Sequence, residues 1–339
     1  MTPKSVTDAG TAATPSGVQR STSSPTDHAG RFDRIPGFGR PSAVFVHRWA
    51  IALLVANVGI VVTGGAVRLT DSGLGCPTWP RCTPDSLVPH GALGIHGVIE
   101  FGNRMLTWVL VAIAIATWVA VWRRTARHPD GRRGNRWLAT MIAFGIPFQG
   151  VVGGITVLTE LNPWVVALHF LLSMAIVSAA TVLVFRTAPR TPQAAPPGAA
   201  ARVGRALSLL LYVLTWVTIY LGTVVTGSGP HAGDADAPRN GLMPGQTTQL
   251  HADAVFILVG VAVAVALATW LARLPQARTA LVFAVLLAVQ GAIGGIQYVT
   301  DLPVTLVLAH MLGSALLLVA VTWLVQSFGW TRARTVAVP

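Results

Sequence analysis

Charge is what this sequence has least of: 11% of its 339 residues are Asp, Glu, Lys or Arg. A soluble domain carries about a quarter. A water-soluble globular chain is therefore excluded, and lipid becomes the main solvent. Acids are scarcest, 12 against 24 Lys and Arg, for a net charge of +12. That excess would suit nucleic acid, but its placement excludes such a partner. Twenty of the 24 basic residues fall in the N-terminal tail and helix start, in 123–136, 186–205 and 273–278, and at Arg332 and Arg334. The other four are Arg68, Arg81, Arg104 and Arg239. Cysteine is nearly absent: Cys76 and Cys82 are the only two. With no histidine close by in the sequence, they do not make a zinc site. The N-terminal stretch also lacks a short apolar run with a cleavage site, so no signal peptide is expected.

What the chain has is apolar sequence, 53% of it. Crossing a bilayer takes roughly 20 residues of helix, and eight runs are long enough, near 47–68, 93–121, 138–158, 164–185, 207–227, 250–271, 280–299 and 304–327. They must be helical, because backbone groups in hydrocarbon are satisfied within their own segment. The clustering of Lys and Arg on one set of connections puts both termini in the cytoplasm. The expected organisation is a disordered cytoplasmic tail (1–44), a four-helix bundle (45–186), a cytoplasmic linker (187–206), a second bundle (207–327) and a short cytoplasmic tail (328–339). The fold class is all-α integral membrane.

Two stretches are nearly the same. Gln149-Gly150-Val151-Val152-Gly153-Gly154-Ile155 runs on to His169, and Gln290-Gly291-Ala292-Ile293-Gly294-Gly295-Ile296 runs on to His310. Aligned without gaps, nine of the 21 positions are identical. Such self-similarity marks an internal repeat. Val61-Val62-Thr63-Gly64-Gly65 and Val224-Val225-Thr226-Gly227-Ser228 end helices one and five similarly, so the unit is four helices. An even number returns the chain to its starting side, so the two bundles are related by a pseudo-two-fold axis along the membrane normal.

His96, His169, His251 and His310 each open an even-numbered helix near the outer face. Overlaying His251 on His96 also overlays Phe256 on Phe101, which makes His96 the counterpart of His251. A lone membrane histidine is an ordinary packing residue; two matched pairs point further. Zinc or copper would want a third or fourth ligand that these pairs do not offer. Haem iron needs two axial ligands, and an apolar bundle suits it. Gly153, Gly154, Gly294 and Gly295 suit close approach of a macrocycle or of a neighbouring helix. Glu100 shares a helix face with His96 and stands one turn before Arg104, with which it can pair. A carboxyl group inside a membrane helix is a functional candidate. Cys76 and Cys82 lie in the first outer loop, where a disulfide persists, as a staple or as a redox couple. His28, His47, His90, His128 and His231 carry no assignment.

These features together resemble the haem A synthase family. The resemblance covers about residues 45–327 and rests on eight helices in two halves, Thr63-Gly64-Gly65 with Arg68-Leu69-Thr70-Asp71-Ser72-Gly73-Leu74, the cysteine pair, Ile99-Glu100-Phe101 with Arg104, and the Gln-Gly-x-x-Gly-Gly units. It implies oxidation of the C8 methyl of haem O to a formyl group by successive hydroxylations, giving haem A for terminal oxidases. It implies a substrate haem in the first half, by His96 and His169, and a resident haem b on His251 and His310. Glu100 would meet the charge or protons at the reacting methyl, and Arg68 and Arg104 the haem propionates. Haem O synthase and cytochrome oxidase assembly are the implied partners, in a cell membrane; the oligomeric state, a homo-oligomer included, stays open. One departure stands out. The family pattern on helix two is Glu-x-x-His-Arg, and this chain has Asn103 at its fourth position, so the substrate-haem ligand there is His96; failing that, the haem has only His169, or Asn103 acts through water. The second-half outer loop also lacks the cysteine pair that some members carry. A non-catalytic bis-histidine cytochrome of b type is the alternative reading, and a transporter is a further rival.

Overall fold

The structure, a computed structural model, describes residue 39 and residues 41–127, 133–189 and 198–329. Most of the N-terminal tail, the last ten residues, the middle of the linker, His28 and His128 lie outside the described residues. The described chain forms eight long helices: α1 (Ala43–Leu69), α2 (Gly94–Arg127), α3 (Arg133–Leu158), α4 (Pro163–Thr187), α5 (Gly198–Ser228), α6 (Pro244–Leu271), α7 (Ala277–Val299) and α8 (Val304–Gly329). All eight are long and apolar enough to cross a membrane. No strand occurs among the described residues.

Local chemistry sets several of the ends. The Ser42 hydroxyl accepts from the Phe45 N–H and starts α1. Asn162 caps α4 by accepting from the Trp164 N–H, with Pro163 in the first turn, where its missing N–H costs nothing. Glu160 and Leu161 end the α3–α4 turn with φ of 51° and 59°, and Asp301 and Leu302 repeat this at 59° and 58°. Left-handed conformation at a non-glycine residue costs roughly 1–2 kcal/mol. The same pair of left-handed residues at both turns makes the turn a shared feature of the repeat.

Burial carries the repeat through all four helix pairs. Val46, Ala50, Leu53, Asn57 and Val61 are buried on α1, and Gly204, Ser208, Leu211, Thr215 and Ile219 are buried on α5, each 158 positions later. Leu110, Ala114, Thr117 and Val121 on α2 match Leu258, Ala262, Val265 and Thr269 on α6 at a step of 148. Ala139, Ile142, Ile146 and Gln149 on α3 match Ala280, Phe283, Leu287 and Gln290 on α7 at 141. Met174, Val177, Ala180, Thr181 and Leu183 on α4 match Ala315, Leu318, Val321, Thr322 and Leu324 on α8, again at 141. The α1–α5 step differs by five residues from the one that the Val-Val-Thr-Gly endings suggest. The α2–α6 step differs by seven from the overlay of His96 on His251.

The halves meet along α1, α4, α5 and α8. A Cβ placed on Gly65 of α1 would stand 2.6 Å from Sδ of Met311 on α8, so a larger residue there would push the flexible Met311 side chain aside. Ser178 of α4 links the halves by hydrogen bonds to Tyr212 (2.9 Å) and Thr322 (3.1 Å).

Candidate functional site

Each odd–even helix hairpin stands a polar side chain against a glycine of the preceding helix. A Cβ on Gly153 of α3 would lie 3.3 Å from Cε1 of His169 on α4. One on Gly294 of α7 would lie 3.1 Å from Cε1 of His310 on α8. One on Gly222 of α5 would lie 3.3 Å from Cε1 of His251 on α6. In the fourth hairpin Gly64 of α1 faces Asn103 of α2, with Nδ2 at 3.9 Å. The three imidazoles are half-buried. Their Nδ1 atoms are fully buried and make no hydrogen bond.

The spacing from Gln to His now has a cause. Gln149 Nε2 donates to the backbone carbonyl of His169 at 3.0 Å, and Gln290 Nε2 donates to that of His310 at 2.7 Å. Each glutamine sits on the odd helix and grips the turn that carries the histidine on the even one. In the first half Ser173 joins in, accepting from Gln149 and donating to the same carbonyl at 3.0 Å.

His96 is placed differently. It is the third residue of α2, exposed, and its Nδ1 pairs with the Ser72 hydroxyl of the outer loop at 2.9 Å. Asn103 lies two turns deeper on the same face, half-buried, with Thr63 Oγ1 2.8 Å from its Oδ1.

Glu100 is buried, and both of its oxygens are engaged. Oε2 accepts from the Cys76 N–H at 2.6 Å, and Oε1 accepts from Arg104 Nη2 at 2.5 Å and Nε at 3.1 Å. Arg104 also donates to the carbonyls of Cys76, Thr78 and Arg81. The pair thus folds the first outer loop down onto α2. Cys76 and Cys82 form a disulfide within that loop, and both are fully buried. The Trp79 indole between them lies against Gly154, so closely that a Cβ there would overlap its ring. The twin glycines of α3 therefore have separate uses: Gly153 faces a histidine and Gly154 a lid. In the second half nothing lies within 4 Å of a Cβ placed on Gly295.

Arg68 ties the end of α1 to the end of α5 and the loop that follows it. Its Nε donates to the His231 carbonyl at 2.6 Å and its Nη2 to that of Thr226 at 3.1 Å. His231 Nε2 pairs with the Leu302 carbonyl at 3.0 Å, and the Gly73 N–H donates to Gly233 at 2.8 Å. Arg68 thus spends these donors on backbone carbonyls, and Arg104 spends its donors on the Glu100 carboxylate and on loop carbonyls. His47 pairs with Thr187 at 3.2 Å at the opposite end of the bundle, and His90 is exposed, its carbonyl accepting from the Leu93 N–H. Trp79 and the two glutamine clamps are the residues whose roles sequence reasoning missed. The glutamines were visible in the repeat; nothing marked Trp79 beyond its place between the cysteines.

Among the described residues no three or more His, Cys, Asp or Glu come together to hold a bare metal ion. The donor set is one of half-buried histidines against glycines in a duplicated membrane bundle. Fold and site define a multi-pass membrane protein of eight helices, with histidine-bearing hairpins in both halves. A family model described as "COX15-CtaA: Cytochrome oxidase assembly protein" matches residues 47–322, and the chain belongs to that family.

Curated relatives bear the name heme A synthase. One from a strain of Methylorubrum extorquens is 28% identical over 234 residues, covering 58% of this chain and 58% of its own. One from Shouchella clausii is 32% identical over 170 residues, covering 49% and 54%. One from Rhizorhabdus wittichii is 27% identical over 341 residues, covering 84% and 93%. The chain thus spans little more than half the length of the first two relatives.

Proposed function

We propose that the protein is a haem A synthase, oxidising the C8 methyl of haem O to a formyl group by two hydroxylations and loss of water. The observation that carries this is an asymmetry. Both halves set glycine-backed histidine in apolar hairpins, but among the described residues only the first has a buried carboxylate, Glu100, beneath a closed loop.

The residues fit a haem. The glycines facing His169, His251 and His310 leave room that a Cβ would fill. The Nδ1 atoms of these imidazoles are buried without a partner, while backbone groups of Thr218 and Gln290 lie close enough to steer the rings of His251 and His310. His251 and His310 would hold the resident haem b, and His169 would meet haem O from α4. When bound, the resident haem supplies the electron-transfer chemistry that side chains lack. The chain's own part is positional. Gln149 and Gln290 fix the turns that carry the histidines. The loop of Cys76–Cys82, held down by Arg104 and Trp79, excludes water from the first half. Glu100, acceptor-only when ionised, would take up protons leaving the reacting methyl, a task most effective in a dry site.

The family and the relatives' names support this reading. So do the arginines at the inner helix ends, Arg123, Arg124, Arg136, Arg186 and Arg205, which favour a cell-membrane orientation with both termini cytoplasmic. Haem O synthase and the oxidase assembly machinery are the partners this activity needs.

One observation favours the alternative of a bis-histidine cytochrome: both Glu100 oxygens are already occupied, as a purely structural carboxylate would be. Co-expression with a haem O synthase decides. Haem A in the extracted pigment supports the enzyme; haem B and haem O alone, with the protein present and pigmented, overturn it.

A further inference from the structure

The second half presents two glycine-backed imidazoles, and the first half does not match it. The burial register decides which α2 residue stands where His251 stands. Four buried positions of α2 and α6 coincide at a step of 148, and that step carries Asn103 onto His251. The α1–α5 register, set independently by five buried positions, carries Gly64 onto Gly222. These are the very glycines that face Asn103 and His251. Two helix registers and one side-chain contact therefore agree. Under the same step His96 falls on Pro244, the first residue of α6 and too early to face the bundle interior. Its ring is instead exposed and paired with Ser72.

We infer that Asn103, not His96, occupies the fourth hairpin position, so that the first half holds its haem through the single imidazole of His169 and exchanges it, while the second half retains its haem between His251 and His310. This rests on the haem reading proposed above. Imidazole suits iron, whereas a neutral carboxamide, already engaged by Thr63, is a poor ligand for it. The difference has a use. A substrate must enter and a product must leave, and one protein–iron bond releases more readily than two. A resident cofactor has no such need. The carboxamide of Asn103 would instead leave room beside a first-half haem for water or a small ligand, to which it could hydrogen-bond.

The test loads the purified full-length protein, in detergent, with ferric haem b, and reads spin state by electron paramagnetic resonance and haem loss to excess apomyoglobin. Expected for the wild type are one low-spin bis-imidazole signal, retained, and one high-spin signal, lost at least tenfold faster. Asn103→His converts the high-spin signal to low-spin and slows its loss at least tenfold. His96→Ala leaves both signals and both rates as in the wild type, which keeps the test alive should the Asn103 variant not fold. Two bis-imidazole signals in the wild type, one of them abolished by His96→Ala, overturn the inference while leaving the haem reading intact. A protein that takes up no haem overturns both.

Discussion

The Cys76 N–H donates to Glu100 Oε2 at 2.6 Å, so a loop residue of the disulfide and the buried carboxylate of α2 are one unit. With Arg104 on the other oxygen, Glu100 serves the loop whatever else it does. The two roles separate by substitution. Glu100→Gln keeps the size and one acceptor oxygen but cannot accept a proton as a carboxylate does. We expect the Gln variant to be made and to take up haem at wild-type levels, with haem A formation at least tenfold lower. Glu100→Ala should in addition destabilise the protein by about 3 kcal/mol, because Arg104 loses its buried partner. Haem extraction and thermal unfolding in detergent measure the two effects. Full activity in the Gln variant would reduce Glu100 to a strut.

A matched pair of glycines tests the lid. A Cβ on Gly154 would overlap the Trp79 ring near its base, where the indole cannot swing aside without moving the loop. A Cβ at the counterpart Gly295 meets nothing within 4 Å. Gly154→Ala should cost about 1–3 kcal/mol through overpacking, and should make the loop between Cys76 and Cys82 open to protease. Gly295→Ala should be neutral, or stabilising by a few tenths, since alanine is the better helix former. Equal behaviour of the two variants would show that Trp79 does not close against α3.

Sequence reasoning reached the eight helices because hydrocarbon demands long unbroken apolar runs. It reached the α3–α7 and α4–α8 match because Gln149-Gly150 and Gln290-Gly291 begin near-identical text. The α1–α5 and α2–α6 registers were out of reach for a physical reason. In water, core and surface faces differ in polarity, and a helix advertises its inner face. In lipid, both faces are apolar, so Leu110 inside and Val109 outside read alike. The overlay of His96 on His251 was tempting because its error is seven residues, two helical turns, which preserves the face while shifting the depth. Glu100 and Arg104 were legible as an i,i+4 pair; their grip on the loop carbonyls was not, since those partners lie more than twenty residues away.

The glutamine clamps predict unequal losses in the two halves. Gln290 holds the His310 carbonyl by one hydrogen bond, whereas the His169 carbonyl has Ser173 as a second donor. A hydrogen bond of this kind is worth about 1 kcal/mol net. Gln290→Leu should therefore speed haem loss from the second half several-fold, and Gln149→Leu should change the first half less until Ser173→Ala is added. Haem transfer to apomyoglobin measures both. Equal sensitivity of the two single variants would show that Ser173 does not share the load.

Arg68 supplies the last test, because its charge invites one role and its contacts describe another. A cation at the outer end of α1 is a natural partner for a propionate, yet its Nε and Nη2 already bind the carbonyls of His231 and Thr226 from the other half. Hydrogen bonds from a charged donor are worth about 1.5–3 kcal/mol each when buried, and less at a half-buried site. Arg68→Ala should lower stability by about 2 kcal/mol and expose the 229–242 loop to protease, with haem uptake unchanged. Arg68→Lys keeps the charge but loses the fork that reaches two carbonyls at once, so it should resemble alanine in stability. If lysine instead restores the wild type and alanine weakens haem uptake, the charge matters more than the fork, and Arg68 faces the cofactor after all.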